Sequence, residues 1–238
     1  LNVLVIPARE GSTRFPGKPR ALIDGKPLLQ RTWEVAQQVP ELDAVYIATD
    51  TLLIETLAKS FGAQVLLTGK CNNGTERVRE AIRQLPQTPR IIVNLQGDAP
   101  LTQPRMLSQL IQAMQKDPQM HLATIAMPYS EELQTSRGGT WVVMDRFQRA
   151  LYFSKSPIPH LRQKTTRFRH IGVYAYTWEG LQQYCKLSPT PLEQAEQLEQ
   201  LRALEHAMPI HLVLTETTPQ WSVDTPEDLL IVEQLLKK

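Results

Sequence analysis

Arg9, Arg14 and Lys18 bring three cations into ten residues, in a stretch that also holds Gly11, Gly17, Pro7, Pro16 and Pro19. The cations match phosphate charge, and glycines let backbone N–H groups come close to phosphate oxygens. The chemistry on offer is the grip of a polyanion, such as a nucleoside triphosphate; the alternative is a solvated basic loop. The spacing fits neither G-x-x-x-x-G-K-[ST] nor G-x-G-x-x-G, which disfavours a P-loop ATPase and a Rossmann dehydrogenase. Two aspartates come next. Asp98 follows the apolar run Ile91–Leu95, and Asp224 lies in Val223-Asp224-Thr225-Pro226-Glu227-Asp228. Magnesium is usually held by one or two carboxylates plus substrate oxygens, which a converging pair would suit. Each aspartate has an equal structural reading: Asp98 as a turn or cap residue, and Asp224 or Thr225 as the cap of a helix whose first position is Pro226.

The segment His170-Ile171-Gly172-Val173-Tyr174-Ala175-Tyr176 alternates as a strand, with Ile171, Val173 and Ala175 facing a core. On the other face a bare glycine lies between His170 and Tyr174, room for a ligand between two hydrogen-bonding side chains, although a structural histidine is as good a reading. Thr190-Pro191-Leu192-Glu193 is a capping box that starts a helix expected to run to about His206. On that helix Glu196 and Gln200, at i and i+4, share a polar face, taken as solvated.

The elements that must position these residues follow from periodicity. Short apolar runs at Leu1–Ile6, Ala44–Ala48, Val65–Leu67 and Ile91–Leu95 alternate with helical patterns carrying Leu29, Trp33 and Ala36, then Ile54, Leu57, Ala58 and Phe61, then a short charged helix around Val78–Leu85. Strands and helices in that rhythm predict βαβ units and a parallel sheet, whose carboxyl edge is where ligands sit. Beyond residue 100 the spacing predicts a helix at Met106–Met114, strands at Leu122–Met127 and Trp141–Met144 with a Gly138-Gly139 turn, and an extended run Leu151–Pro159. A strand at Ile171–Tyr176, a helix, a strand at Ile210–Leu214 and a final helix from Pro226 complete the chain. The fold class is α/β, a mostly parallel sheet flanked by helices, with a smaller appended subdomain. The chain is one domain, 1–238, in which 1–120 forms the nucleotide-binding part and 121–238 the remainder.

Composition narrows the function classes. A net charge of +2 gives no field for nucleic acid, and the basic run Arg162, Lys164, Arg167, Arg169 is expected to be a solvated loop. No apolar run nears the roughly 20 residues a bilayer span needs, and the start of the sequence shows no secretory signal. Cys71 and Cys185 have no metal-ligand spacing and suit free thiols in a reducing compartment. The expectation is a cytoplasmic protein with no nucleic-acid or membrane partner.

Several segments together resemble the cytidylyltransferases that activate sugar acids, most closely the 3-deoxy-manno-octulosonate (KDO) cytidylyltransferase family. They are Pro7-Ala8-Arg9 through Ser12-Thr13-Arg14-Phe15-Pro16-Gly17-Lys18-Pro19, Asn94-Leu95-Gln96-Gly97-Asp98, Ala150-Leu151-Tyr152-Phe153-Ser154, His170-Ile171-Gly172-Val173-Tyr174, Leu198-Glu199-Gln200-Leu201-Arg202-Ala203-Leu204 and Val223-Asp224-Thr225-Pro226-Glu227-Asp228. They occur in the family's order over nearly the whole chain. The resemblance implies a nucleotidyltransferase fold, a homodimer, and magnesium-dependent transfer of CMP from CTP to the anomeric hydroxyl of KDO or a close relative such as 8-amino-KDO, which activates the sugar acid for lipopolysaccharide-type glycan synthesis. It implies that Arg9, Ser12, Arg14, Lys18 and Arg77 bind CTP, that Asp98 and Asp224 hold Mg2+, with Lys18 completing the catalytic set, and that Gln96, Lys155, His170, Tyr174 and Gln200 bind the sugar acid. Residues 121–238 would then supply acceptor-binding and dimer contacts. Four departures stand out. Gly97-Asp98-Ala99-Pro100 replaces Gly-Asp-Glu-Pro, Asn73-Gly74-Thr75-Glu76-Arg77 replaces Ser-Gly-Thr-Asp-Arg, Lys155 replaces an arginine, and the segment from Lys155 to His170 is short. A lysine lacks the forked donors of arginine. Together with Ala99 it leaves open a different ulosonic acid, or a non-catalytic nucleotide-binding homologue.

Overall fold

β1 (Asn2–Pro7) is buried on both faces, as a central parallel strand must be. The computed structural model describes residues 1–11, 14–131 and 139–237. After one turn of 3₁₀ helix at Lys18–Arg20, the chain forms the hairpin β2 (Leu22–Ile23) and β3 (Lys26–Pro27) around Asp24 and Gly25, both at positive φ. There follow α1 (Leu28–Gln37), β4 (Ala44–Thr49), α2 (Leu52–Ser60), β5 (Gln64–Leu67), α3 (Gly74–Ile82), β6 (Ile91–Leu95) and α4 (Pro104–Lys116). The second half holds β7 (Leu122–Pro128), β8 (Trp141–Met144), β9 (Ala150–Ser154), β10 (Phe168–Tyr176), α5 (Trp178–Tyr184), α6 (Pro191–Glu196), α7 (Leu201–Glu205), β11 (His211–Leu214) and α8 (Pro226–Leu236).

The sheet runs β11-β7-β10-β6-β1-β4-β5, with the β8–β9 hairpin attached to β10. β1 pairs in parallel with β4 and β6, β4 with β5, and β7 with β11; β10 lies antiparallel between β6 and β7. The predicted mostly parallel α/β sheet is therefore observed. Period-two burial supplies a core on each face. Leu4 and Ile6 meet Leu29, Ile54 and Leu107 from α1, α2 and α4. Val3 and Val5 belong to the opposite cluster with Val78, Leu181 and Leu201 from α3, α5 and α7. A smaller cluster, Ile23, Leu28, Leu101, Val223 and Val232, fastens α8 and the residues before it to the β2–β3 hairpin. That cluster brings residue 224 to the edge of the sheet where β6 ends.

Three expectations are corrected. α3 begins at Gly74, ahead of the expected Val78, because the Asn73 side chain accepts the Glu76 N–H at 2.8 Å and caps the helix there. The helix from Pro191 does not continue to His206. Gln197 adopts a left-handed conformation (φ 55°, ψ 45°), the Leu198 N–H returns to the Glu193 carbonyl, and α7 starts only at Leu201. Arg202 then doubles back to bond Glu193 through two nitrogens, a pair shielded from water on both sides. Glu196 and Gln200 consequently share no helix face. Arg169 is no solvated loop residue: it lies in β10, is 9% exposed, and stacks its guanidinium 3.8 Å from the Trp141 ring centre. Gly138, half of the expected glycine turn, lies outside the described residues.

Candidate active site

The basic stretch leaves the carboxyl end of β1 and turns back over the ends of β1 and β6. Gly17 sits at φ 72°, where glycine carries no Cβ penalty, and Phe15 packs on the cluster that holds Val223. These contacts direct Lys18 inward. Its Nζ lies 2.5 Å from Asp98 Oδ2, 2.9 Å from the Val223 carbonyl and 3.9 Å from Asp224 Oδ1. Arg14 reaches Asp224 at 2.9 Å. The two aspartates thus converge from positions 98 and 224, bridged by one ammonium, and the Val223 N–H fixes the register by donating to the Asp98 carbonyl at 3.0 Å.

The turn role stands for Asp98, which lies in the turn closed by the Ala99 N–H on the Gln96 carbonyl at 3.3 Å, but neither aspartate caps a helix. α4 is capped at Gln103, so Asp98 caps no helix. α8 is capped by Thr225 with Asp228, whose carboxylate accepts the Thr225 and Asp224 N–H groups at 2.8 and 2.9 Å. The Asp224 carboxylate is left to face the cleft. Two converging carboxylates with open space beside them form a donor set that fits a hard divalent cation completing its shell from substrate oxygens.

Two cavities meet at this point. The smaller, of about 310 Å3, is lined by Arg9, Arg14, Lys18 and Arg77 together with Asp98 and Asp224. The larger, of about 830 Å3, is lined by Gln96, Lys155, His170, Tyr174 and Gln200 with the same two aspartates. Arg14, Gly74, Gln96, Asp98, Glu199 and Asp224 border both. The expected site residues therefore gather around one cleft. Ser12 lies outside the described residues. Arg77 has its guanidinium tied to Asp50 at 2.8 Å and Thr68 at 2.7 Å, and shapes the smaller cavity with its charge balanced.

The larger cavity is set up by β10. The pairing with β7 shifts register between Ile171 and Tyr174, and Gly172 stands in this irregularity with nothing within 4 Å of the place a Cβ would take. His170 is wedged against Phe153 and Tyr174, and its Nε2 lies 2.9 Å from Thr124 Oγ1. Burial lowers its pKa to about 3, so the ring is neutral at pH 7. Burial raises Tyr174 well above the phenol range and keeps its hydroxyl protonated. Lys155 is lowered by desolvation, partly opposed by Asp224. Its backbone N–H bonds Glu196 at 2.9 Å, and Glu196 also takes Ser154 Oγ at 2.7 Å. Glu196, read as a solvated residue, is instead the anchor of the β9 end.

Sequence reasoning missed Glu199. It borders both cavities, and burial raises its carboxyl pKa against the opposing pull of Arg202. Nothing in its spacing marked it, because the helix expected across 191–206 hid the turn that aims it at the cleft.

Comparison with known proteins fits this geometry. A family model described as Cytidylyltransferase matches residues 3–210. The 3-deoxy-manno-octulosonate cytidylyltransferase of Maricaulis maris is 41% identical, covering 98% of this chain and 95% of that protein. The chain belongs to this cytidylyltransferase family. The Chlamydia felis protein of the same name is 44% identical over 99% of this chain and 93% of its own length. Among solved structures, CMP:2-keto-3-deoxy-manno-octonic acid synthetase complexed with CTP superposes with a TM-score of 0.90 at 38% identity, covering 100% of this chain and 99% of that one. The inositol-1-phosphate CTP transferase from T. maritima, at 14% identity and a TM-score of 0.70, shares the fold. The enzyme is thus a nucleotidyltransferase, and the non-catalytic alternative loses its footing. Among the described residues no helix is long and apolar enough to cross a membrane.

Proposed function

We propose that the enzyme transfers CMP from CTP to the anomeric hydroxyl of 3-deoxy-manno-octulosonate or a close relative, releasing pyrophosphate. One observation carries this reading: a cation-lined cavity and a larger cavity lined by Lys155 and hydrogen-bonding groups such as His170, Tyr174 and Gln200 meet at a wall that includes Asp98 and Asp224. A donor in the first and an acceptor in the second would meet at Asp98 and Asp224. Names of the family members support the same pair of substrates.

In the smaller cavity Arg9, Arg14 and Lys18 neutralise the triphosphate and stabilise charge that grows on the leaving pyrophosphate. Transfer forms a bond from the anomeric oxygen to the α-phosphorus and breaks the α–β anhydride. Asp98 and Asp224 would hold Mg2+, which when bound supplies charge neutralisation at the transferring phosphoryl group and lowers the pKa of a bound hydroxyl. In the larger cavity Tyr174 is a donor, neutral His170 an acceptor, and Gln96, Gln200 and Glu199 offer further polar groups to sugar hydroxyls. Lys155 supplies a point charge for an acidic acceptor, where the family has a forked guanidinium. We assign nucleotide binding to residues 1–120 and acceptor and dimer contacts to 121–238, in a cytoplasmic homodimer that sedimentation would register as twice the chain mass.

The assay mixes CTP, Mg2+ and 3-deoxy-manno-octulosonate with the protein and follows pyrophosphate. Release is expected, and the 8-amino relative run beside it ranks the acceptors. Release with a sugar 1-phosphate but with no ulosonic acid would remove the sugar-acid reading.

A further inference from the structure

Neither Glu10 nor Arg20 is among the described residues that line these two cavities, yet the two close the basic loop. Arg20 Nε and NH2 donate to one Glu10 oxygen at 3.0 and 2.5 Å, and the Gly17 N–H points to the Glu10 carbonyl at 3.5 Å. The guanidinium lies over Gly17, where an added Cβ would come within 2.9 Å of NH2 and 3.5 Å of the Glu10 carboxylate. The second oxygen of Glu10 is buried and has no hydrogen-bond partner among the described residues. This carboxylate is therefore half desolvated and depends on Arg20 for its charge balance.

From this geometry we propose that Glu10 and Arg20 are positioning residues for CTP, a strap across Gly17 that holds Arg9, Arg14 and Lys18 on the smaller cavity. The proposal rests on the reading of that cavity as the CTP site. An exposed ion pair is usually worth little, but this one joins the two ends of the loop and cancels a negative charge beside a cleft that must accept a triphosphate. Loss of Arg20 frees the loop and also leaves the Glu10 carboxylate to repel the ligand. Removing Glu10 as well takes the repulsion away. The two changes are therefore expected to be non-additive in sign, which a pair serving stability alone would not produce in ligand binding.

The test is calorimetric titration of CTP with Mg2+ into the full chain, Arg20→Gln, Arg20→Lys and the double variant Glu10→Gln/Arg20→Gln, at low salt, with thermal melting to confirm folding. Arg20→Gln is expected to weaken CTP about tenfold and the double variant about threefold, the size of effect that one uncompensated charge near a phosphate site produces at low salt. Arg20→Lys keeps the charge and lies nearer to wild type. A wild-type chain that fails to bind CTP removes the site assignment. A wild-type chain that binds, with Arg20→Gln within twofold of it or the double variant no tighter than Arg20→Gln, overturns the strap.

Discussion

Burial holds the His170 imidazole near a pKa of about 3, and Thr124 decides which nitrogen carries its hydrogen. The Thr124 hydroxyl donates to the Val173 carbonyl at 2.7 Å, so its oxygen can only accept from His170 Nε2, leaving Nδ1 as an acceptor. Nitrogen-15 spectra of the labelled protein should show a protonated Nε2 and a bare Nδ1 from pH 5 to 8. The shift also sets a sign for stability. Between the unfolded pKa near 6.5 and the folded value of about 3, the unfolded chain binds more protons, so stability from this group is complete above 6.5 and declines as the pH falls. The decline is roughly 1.4 kcal/mol per pH unit at most. Denaturant midpoints at pH 7 and 5 should differ more for the wild type than for His170→Gln; equal differences would mean the ring titrates normally. Gly172 gives a second residue-level prediction. A Cβ there meets open space, and valine suits a strand, so Gly172→Val should keep stability within about 1 kcal/mol. Because its side chain would fill part of the larger cavity, the acceptor KM should rise about tenfold with little change in the KM for CTP.

The paired short helices α6 and α7 exist because Glu193 and Arg202 hold them side by side. Both side chains are about nine-tenths shielded, and removing one partner strands the other charge. Arg202→Met should therefore cost about 3–5 kcal/mol, whereas Glu193→Leu combined with Arg202→Met should cost less, as urea unfolding would measure. The turn that this pair braces carries Glu199 and Gln200, so acceptor binding should weaken in Arg202→Met before CTP binding does. This is also where the sequence misled. Apolar residues every three positions and a capping box at Thr190 predict one continuous helix, and local periodicity cannot register an ion pair that closes across nine residues to favour a left-handed Gln197. The β1 and β6 runs are legible because both faces of each are buried, leaving an apolar signature that only Asn2 and Asn94 interrupt. The start of α3 is set by Asn73 accepting the Glu76 N–H, a local cap that the apolar periodicity from Val78 onward does not register. Arg169 was misread for a similar reason: its neighbours in the chain are basic, while its stacking partner Trp141 is distant in sequence.

At the scale of the molecule, the proposed mechanism depends on two segments that the sheet edge brings together. Asp98 arrives at the end of β6, and Asp224 arrives just before α8, docked through the Val223 N–H to the Asp98 carbonyl and through Val223 in the apolar cluster beneath. These backbone and apolar contacts do not involve either carboxylate's charge, so Asp98→Asn and Asp224→Asn should fold with near-normal melting. Lys18 would lose its ion pair with residue 98, a partly exposed contact worth little after screening. Turnover should respond differently. Each substitution removes one anionic ligand from the proposed Mg2+ site where the two cavities meet, and loss of one charge-stabilising group lowers kcat about a hundredfold or more. The Mg2+ concentration for half-maximal rate should rise in both variants, most simply read in pyrophosphate release at saturating CTP and acceptor. If the carboxylates acted only to orient Lys18 and Arg14, the rate would fall with no shift in the Mg2+ requirement, and Lys18→Met would reproduce the Asp98→Asn profile. A rate within tenfold of wild type in either aspartate variant would move the metal, and with it the point where donor and acceptor meet, away from the shared wall.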